Sequence, residues 1–182
     1  MRKIVAGLFI TLDGVVGSPD KWQIPYRNDE MGQAVTSQMD AADAMLLGRV
    51  TYKEFASFWP EAPADDPFTA RMNTTPKFVV STTLDTVAWQ NSTLITGNVV
   101  EELTRLKQQP GKNIGITGSA TLIRSLLRDH LLDELNLLVH PVVVGNGKRL
   151  FPDGSDPVAL KLVDAQTFST GVLSLTYQSA GT

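Results

Sequence analysis

The 182-residue chain carries a formal net charge of -3, with 42% apolar and 19% charged residues, the composition of one folded domain rather than of a disordered segment. That charge provides no field to gather phosphate backbones, so nucleic acid is not an expected partner. Without cysteine there is no disulfide or thiolate chemistry, and with only His130 and His140 a zinc site would have to rely on carboxylates, so a metal enzyme is not expected.

Arg2 and Lys3 precede the apolar run Ile4 to Ile10. This resembles the start of a secretion signal, but the run is short and no small-residue cleavage site follows, so it reads as a first strand and the protein as cytoplasmic. Apolar throughout, it predicts a central strand covered on both faces and ending at the turn Asp13-Gly14. No stretch reaches the roughly 18 apolar residues of a membrane helix. Trp22 to Asn28 is rich in turn and aromatic residues; a helix is expected from Asp29 to Met39, then a short buried strand at 44–48. Val50 to Trp59 sets Tyr52, Phe55, Phe58 and Trp59 on one helical face, which Pro60 ends. Glu61 to Asn73, acidic and with two prolines, reads as an exposed excursion.

Lys77 to Ser81 resumes as a strand. Asn98 and Glu101 form a capping-box-like pair opening a helix with Val99, Leu103 and Leu106 on one face, and Pro110-Gly111 closes it. Asn113 to Thr117 is a further buried strand. Ser119 is placed to cap the next helix, whose stripe is Leu122, Ile123, Leu126 and Leu127. Glu134 to Val144 is strand-like, Gly145-Asn146-Gly147 turns the chain, and stretches near 159–168 and 171–178 supply two last strands. The pattern predicts a single α/β domain over 1–182, a mixed, mainly parallel sheet with helices on both faces and antiparallel C-terminal strands.

Two junctions combine a buried strand, a glycine and a helix start: Gly48-Arg49-Val50-Thr51 and Gly118-Ser119-Ala120-Thr121. Glycine lets an anion approach the backbone, the first helical N–H groups lack internal partners, and Thr51, Ser119 and Thr121 add hydroxyl donors. Arg49 adds a permanent charge in a planar fork. Together the two turns suggest a dinucleotide at the carboxyl edge of a parallel sheet.

With TLDGVV, LLGRVTYKEF, PKFVVSTTL, GSATLIRSLL with LLDEL, HPVVVGNGKRLF and GVLSLTYQ in this order, the chain resembles the dihydrofolate-reductase-like reductases. Within them it is most similar to the branch containing the C-terminal reductase domain of riboflavin biosynthesis. The resemblance implies NADPH as cofactor. Arg49, Thr51, Ser81 and Thr82 would then lie near the adenosine 2′-phosphate, and Gly118 to Thr121 near the pyrophosphate. Val16 and Gly17 would lie near the nicotinamide, with Leu12, Asp13 and Trp22 near the substrate. A homodimer is usual among similar proteins. Three positions depart from the pattern. Thr117 replaces the first of two adjacent glycines, Lys53 replaces a glutamate, and Arg27 occupies the place of the catalytic carboxylate of true dihydrofolate reductases, leaving Asp29 as the nearest substitute.

The expectation is therefore an NADPH-dependent reductase that transfers hydride to a C=N or C=O carbon of a pterin-like, pyrimidine or similar heterocycle, with dihydrofolate itself excluded and no catalytic residue assigned. The alternative is a non-catalytic nucleotide- or heterocycle-binding module, favoured by Arg27 and the lack of an obvious acid. Trp22 and Trp59 read equally as pocket walls or core, and His140 as a core histidine. His130 reads as a helix C-terminus, Lys148-Arg149 as a solvated turn end, and Asp65-Asp66 as loop. No Gly-x-Ser-x-Gly elbow supports a hydrolase.

Overall fold

In the computed structural model, which describes residues 1–180, the first apolar run forms β1 (Ile4–Thr11). Strand alternation sends Ile4, Ala6, Leu8 and Ile10 to one face, where all are buried, and Val5, Gly7 and Phe9 to the other. The remaining strands are β2 (Ala42–Gly48), β3 (Lys77–Val80), β4 (Ser92–Ile95), β5 (Asn113–Thr117), β6 (Glu134–His140), β7 (Leu160–Thr167) and β8 (Leu173–Ser179). All eight lie in one sheet of order β4-β3-β2-β5-β1-β6-β8-β7. The first six in that order are parallel, and β8 pairs antiparallel with both β6 and β7.

Five helices cover the sheet: α1 (Asp29–Asp40), α2 (Arg49–Phe58), α3 (Pro67–Thr74), α4 (Val99–Gln108) and α5 (Ala120–Arg128). Leu103 and Leu106 of α4 and the stripe of α5 join the even-numbered residues of β1, β2 and β5 in the main core. On the opposite face, α2 and α3 pack through Tyr52 and Met72 on Leu47 and Val79, while Met31 of α1 packs on Leu138, Phe168 and Val172. Ile123 and Leu126 are the centre of the α5 contact, at 0% and 1% exposure; truncating either to alanine costs about 2–5 kcal/mol. No helix among the described residues is long and apolar enough to cross a membrane.

The structure corrects several local expectations. The excursion at 61–73 contains a helix: Asp66 accepts a 2.7 Å hydrogen bond from the Thr69 amide, Pro67 takes the first helical position, and Thr69 and Met72 are buried. β4 adds an edge strand at Ser92–Ile95 that the sequence reading does not contain. β6 stops at His140 rather than Val144, because Pro141 has no N–H for a ladder. The chain beyond it straps back over the end of β1, with Leu12 donating to Val142 and Val15 bridging to Arg149.

Candidate functional site

Strands β3, β2, β5 and β1 are consecutive neighbours in the sheet, so their carboxyl ends bring together the turns at Ser81–Thr82, Gly48–Thr51, Gly118–Thr121 and Leu12–Gly17. The two glycine junctions are tied directly to each other. The Gly48 amide donates to Ser119 Oγ and the Ser119 amide donates to Thr51 Oγ1, each at 2.9 Å. Ser119 therefore does not cap α5 as the sequence suggests: it makes no side-chain cap bond and sits at φ 54, directly after Gly118 at φ 61. Its amide and hydroxyl hold the neighbouring turn instead.

Two consecutive left-handed residues turn the chain into a concave backbone nest of the kind that binds anions. The first helix-internal bond of α5 runs from Ile123 to the Ser119 carbonyl, so the amides of Ala120, Thr121 and Leu122 have no helical partners. Gly118 is required for a second reason. A Cβ there would stand 2.9 Å from Thr51 Oγ1 and 3.0 Å from Thr51 Cγ2, so the buried Thr51 side chain already fills that space.

A cavity of about 1090 Å³ runs along this edge and beneath α1; Val16, Gly17, Thr51, Gly118, Ser119 and Ala120 all line it. Val16 and Gly17 are held in place by their amides donating to the Lys148 carbonyl at 2.8 and 3.3 Å, and by Trp22 Nε1 donating to the Gly17 carbonyl at 3.1 Å. The Lys148 backbone is thus part of the strap and borders the cavity, while Lys148 and Arg149 are exposed, as a solvated turn end would be. Gly48 lies behind Ser119. Arg49 is exposed at the start of α2 with no ion pair or hydrogen bond from its guanidinium among the described residues. Thr82 and Thr121 are exposed, and the Ser81 hydroxyl closes its own turn by accepting from the Thr83 and Leu84 amides at 3.1 and 3.0 Å. A nest with free amides, an unpaired arginine and a roomy, partly apolar cleft together fit a phosphate-bearing dinucleotide.

The expected substrate residues are less direct. Leu12 is exposed, and Trp22 is buried beside the Val16–Gly17 segment. Asp13 is a clamp: Oδ1 accepts from the Thr11 hydroxyl at 2.6 Å and the Val144 amide at 3.3 Å, and Oδ2 from the Gly145 amide at 2.8 Å. The Thr11 hydroxyl first, then these amides, hold its carboxyl below the usual range. His140 is fully buried, its Nδ1 2.8 Å from the Leu138 carbonyl and its ring edge-on to Phe9, Trp22 and Tyr26; burial pushes its pKa down. It is a packed core group. Arg27 is exposed, does not line the cavity and donates to Gln23 Oε1 at 2.8 Å.

Asp13, Leu12 and Trp22 do not line the cavity; the carboxylates that do are Glu30, Glu54 and Glu134. Glu30 is locked by the Ser169 amide and hydroxyl, both at 2.8 Å, which lower its pKa. Glu134 faces Lys3 and Gln178 at 3.4 Å. Glu54 has no partner for its carboxylate among the described residues. Sequence reasoning missed it; its position one turn after Val50-Thr51 was the available signal. No group of three or more potential metal ligands occurs among the described residues.

The chain is similar to known proteins in family and in fold. The family model of the RibD C-terminal domain matches residues 2–174. The uncharacterised protein YyaP of Bacillus subtilis (strain 168) is 34% identical over 186 residues, covering 99% of this chain and 96% of that protein. A protein of Shewanella sp. PV-4 assigned to riboflavin biosynthesis shares the fold at a TM-score of 0.79 and 21% identity, over the full length of both chains. Dihydrofolate reductase of Enterococcus faecalis, solved with NADP(H), does so at 0.64 and 16% identity, covering 98% of this chain and 97% of that one.

Proposed function

The chain belongs to the RibD C-terminal domain family, and from that premise we propose that it is an NADPH-dependent reductase acting on a C=N or C=O carbon of a small heterocycle. The observation that carries this reading is the pair of cross-bonded turns, Gly48–Thr51 and Gly118–Thr121, opening on the same cavity as Val16 and Gly17. In the proposal the free amides of Ala120 and Thr121 hold the pyrophosphate, Arg49 takes the 2′-phosphate, and Val16 and Gly17 border the nicotinamide. The bound cofactor supplies the hydride. The chain orients the two reactants on rigid strand ends, and the strap of residues 141–150 excludes water from them. Asp13 acts through position: its bonds from the Val144 and Gly145 amides tie that strap to the end of β1, and with the Thr11 hydroxyl they favour its ionised form.

The non-catalytic alternative drew on Arg27 and on the lack of an obvious acid. Arg27 is exposed and does not line the cavity, which weakens the first ground and leaves the second standing. The test follows absorbance at 340 nm with NADPH and a panel of pterins, pyrimidines and related C=N or C=O heterocycles. The proposal expects NADPH oxidation matched one-to-one by reduced product. Binding of NADPH with no oxidation across the panel supports the binding-module reading instead.

A further inference from the structure

On the inner face of α1, Met31, Ala34 and Val35 pack together against Leu138 of β6, and the same face returns seven residues after Met31 at Gln38. A carboxamide therefore stands where the stripe calls for an apolar side chain. The sheet makes room for it. A Cβ at Gly7 would overlap Gln38 Oε1 and lie 3.3 Å from Gln38 Cδ, so the amide rests on the bare backbone of β1. Gly7 is in parallel register with Asn136 of β6, and strand alternation turns both to the α1 side. Asn136 is only 9% exposed. The Thr176 hydroxyl donates to its Oδ1 at 2.7 Å, which fixes the amide and leaves Nδ2 as a donor.

Gly7, Gln38 and Asn136 all line the cavity. Neither carboxamide nitrogen has a protein partner among the described residues. Asn136 Nδ2 is not enclosed, in contrast to Ser92 Oγ, His140 Nε2 and Thr170 Oγ1, so it opens on the cavity. On the other side Gly7 is in register with Thr117, the residue before Gly118. The two amides thus lie beside the strand that leads into the cofactor turn. Water satisfies such donors in an open cavity, but a ring that displaces the water must supply acceptors in its place. A ligand without them leaves a nearly buried N–H unpaired, which is how a hydrogen-bonding site rejects an analogue.

We infer that Gln38 and Asn136 orient the substrate, each donating from its carboxamide nitrogen to an acceptor on it, a carbonyl oxygen or an unprotonated ring nitrogen. Both donors are neutral and the Asn136 amide cannot turn without losing Thr176, so an amino group or a protonated ring nitrogen at that edge meets a donor and is disfavoured. The inference rests on the reductase reading for calling the ligand a substrate; the donor pair itself does not depend on the cofactor.

The experiment is calorimetric titration of two probes that differ at one ring position, quinazolin-4-one and 4-aminoquinazoline, into the full chain and into Gln38→Leu and Asn136→Asp. Leucine completes the apolar stripe of α1, and aspartate keeps the acceptor for Thr176 while replacing the free donor by an acceptor. Wild type is expected to bind quinazolin-4-one more tightly than 4-aminoquinazoline. Gln38→Leu is expected to lose about 10-fold in quinazolin-4-one affinity, the range for an unmatched polar group, with no fall in the urea midpoint. Asn136→Asp is expected to reverse the order of the two probes. Should Asn136→Asp not fold, the Gln38→Leu titration decides alone. Equal or tighter wild-type binding of 4-aminoquinazoline, unchanged quinazolin-4-one affinity in Gln38→Leu, or no binding of quinazolin-4-one at millimolar concentration overturns the inference. NADPH is titrated into the same proteins. If wild type takes up no NADPH while the probe effects hold, the reductase reading fails and the donor pair stands; NADPH uptake with unchanged quinazolin-4-one affinity in Gln38→Leu defeats the donor pair and leaves the reductase reading in place.

Discussion

Replacing Gly118 by alanine tests whether the two glycine turns are one mechanical unit. At φ 61 a non-glycine residue carries a left-handed penalty of about 1–2 kcal/mol. The new Cβ would also meet Thr51 Oγ1 at 2.9 Å. Thr51 is buried, so it must leave its rotamer, at about 0.5–1.5 kcal/mol. It would then release the Ser119 amide, a buried donor whose loss costs about 1–3 kcal/mol. The expected total is about 2.5–6.5 kcal/mol, or a fall in Tm of roughly 5–25 °C for a domain of this size. In a Thr51→Ala background the obstruction and the hydrogen bond are already absent, so only the backbone penalty remains. Urea unfolding of the four proteins should therefore give a coupling of at least about 1.5 kcal/mol between the two sites. Additivity within about 0.5 kcal/mol would refute the claim that Thr51 is what requires glycine at 118.

Arg49→Ala should reduce any preference for NADPH over NADH by about 10–100-fold, the value of charge-assisted contacts to a phosphate; equal affinities in the unmodified protein would remove the assignment. Asp13→Asn should accelerate amide hydrogen exchange at Val144 and Gly145, whose N–H groups its carboxylate accepts; unchanged protection would show that the strap is held by other contacts. Because the Asp13 pKa is lowered, that anchoring is present above the unfolded carboxylate pKa and is lost as pH falls through the folded one. Lys77 is fully buried, donating to the carbonyls of Asn73, Thr75 and Gln90 at 3.1, 2.7 and 3.2 Å, and burial pushes its pKa down to about 8. Between that value and the ordinary 10.5 the unfolded chain binds more protons, so stability should rise with pH by up to about 3 kcal/mol relative to Lys77→Met; parallel urea midpoints for the two proteins from pH 7 to 10 would contradict this. β7 is an exposed sheet edge with Leu162 at 48% and Val163 at 42% exposure, and antiparallel self-pairing centred between them sets Lys161 opposite Asp164 of a second copy. Light scattering should give a dimer mass that Lys161→Asp shifts toward monomer, and a wild-type monomer at tens of micromolar would overturn the expectation.

What the sequence made legible was set by local chemistry. The β1 run, the α5 stripe and the capped start of α4 each announce themselves within a dozen residues, and the Asn98 side chain does accept from the Glu101 amide. α3 was readable as well: Asp66-Pro67 is a helix-start signal, but its acidic, proline-containing surroundings favoured a loop reading. β4 was harder, because only Ile95 of Ser92–Ile95 is buried and nothing in four residues fixes the period. The cofactor turns stood out through their glycines, whereas their mutual bonds span 71 and 68 residues and have no local signature. The same distance effect hid Glu54, whose free carboxylate matters only once α1 and α3 are placed around α2. Arg27 could be placed along the chain but not in space, because its exposure and its bond to Gln23 depend on the fold.

The most direct test of the account is a titration of the isotopically labelled protein with NADPH, following backbone amide resonances by NMR. The account predicts saturable shifts concentrated at Val16, Gly17, Thr51, Gly118, Ala120 and Thr121, the residues that meet at the carboxyl ends of β1, β2 and β5. Absence of binding, or shifts centred on β7 and β8 at the far edge of the sheet, would contradict it.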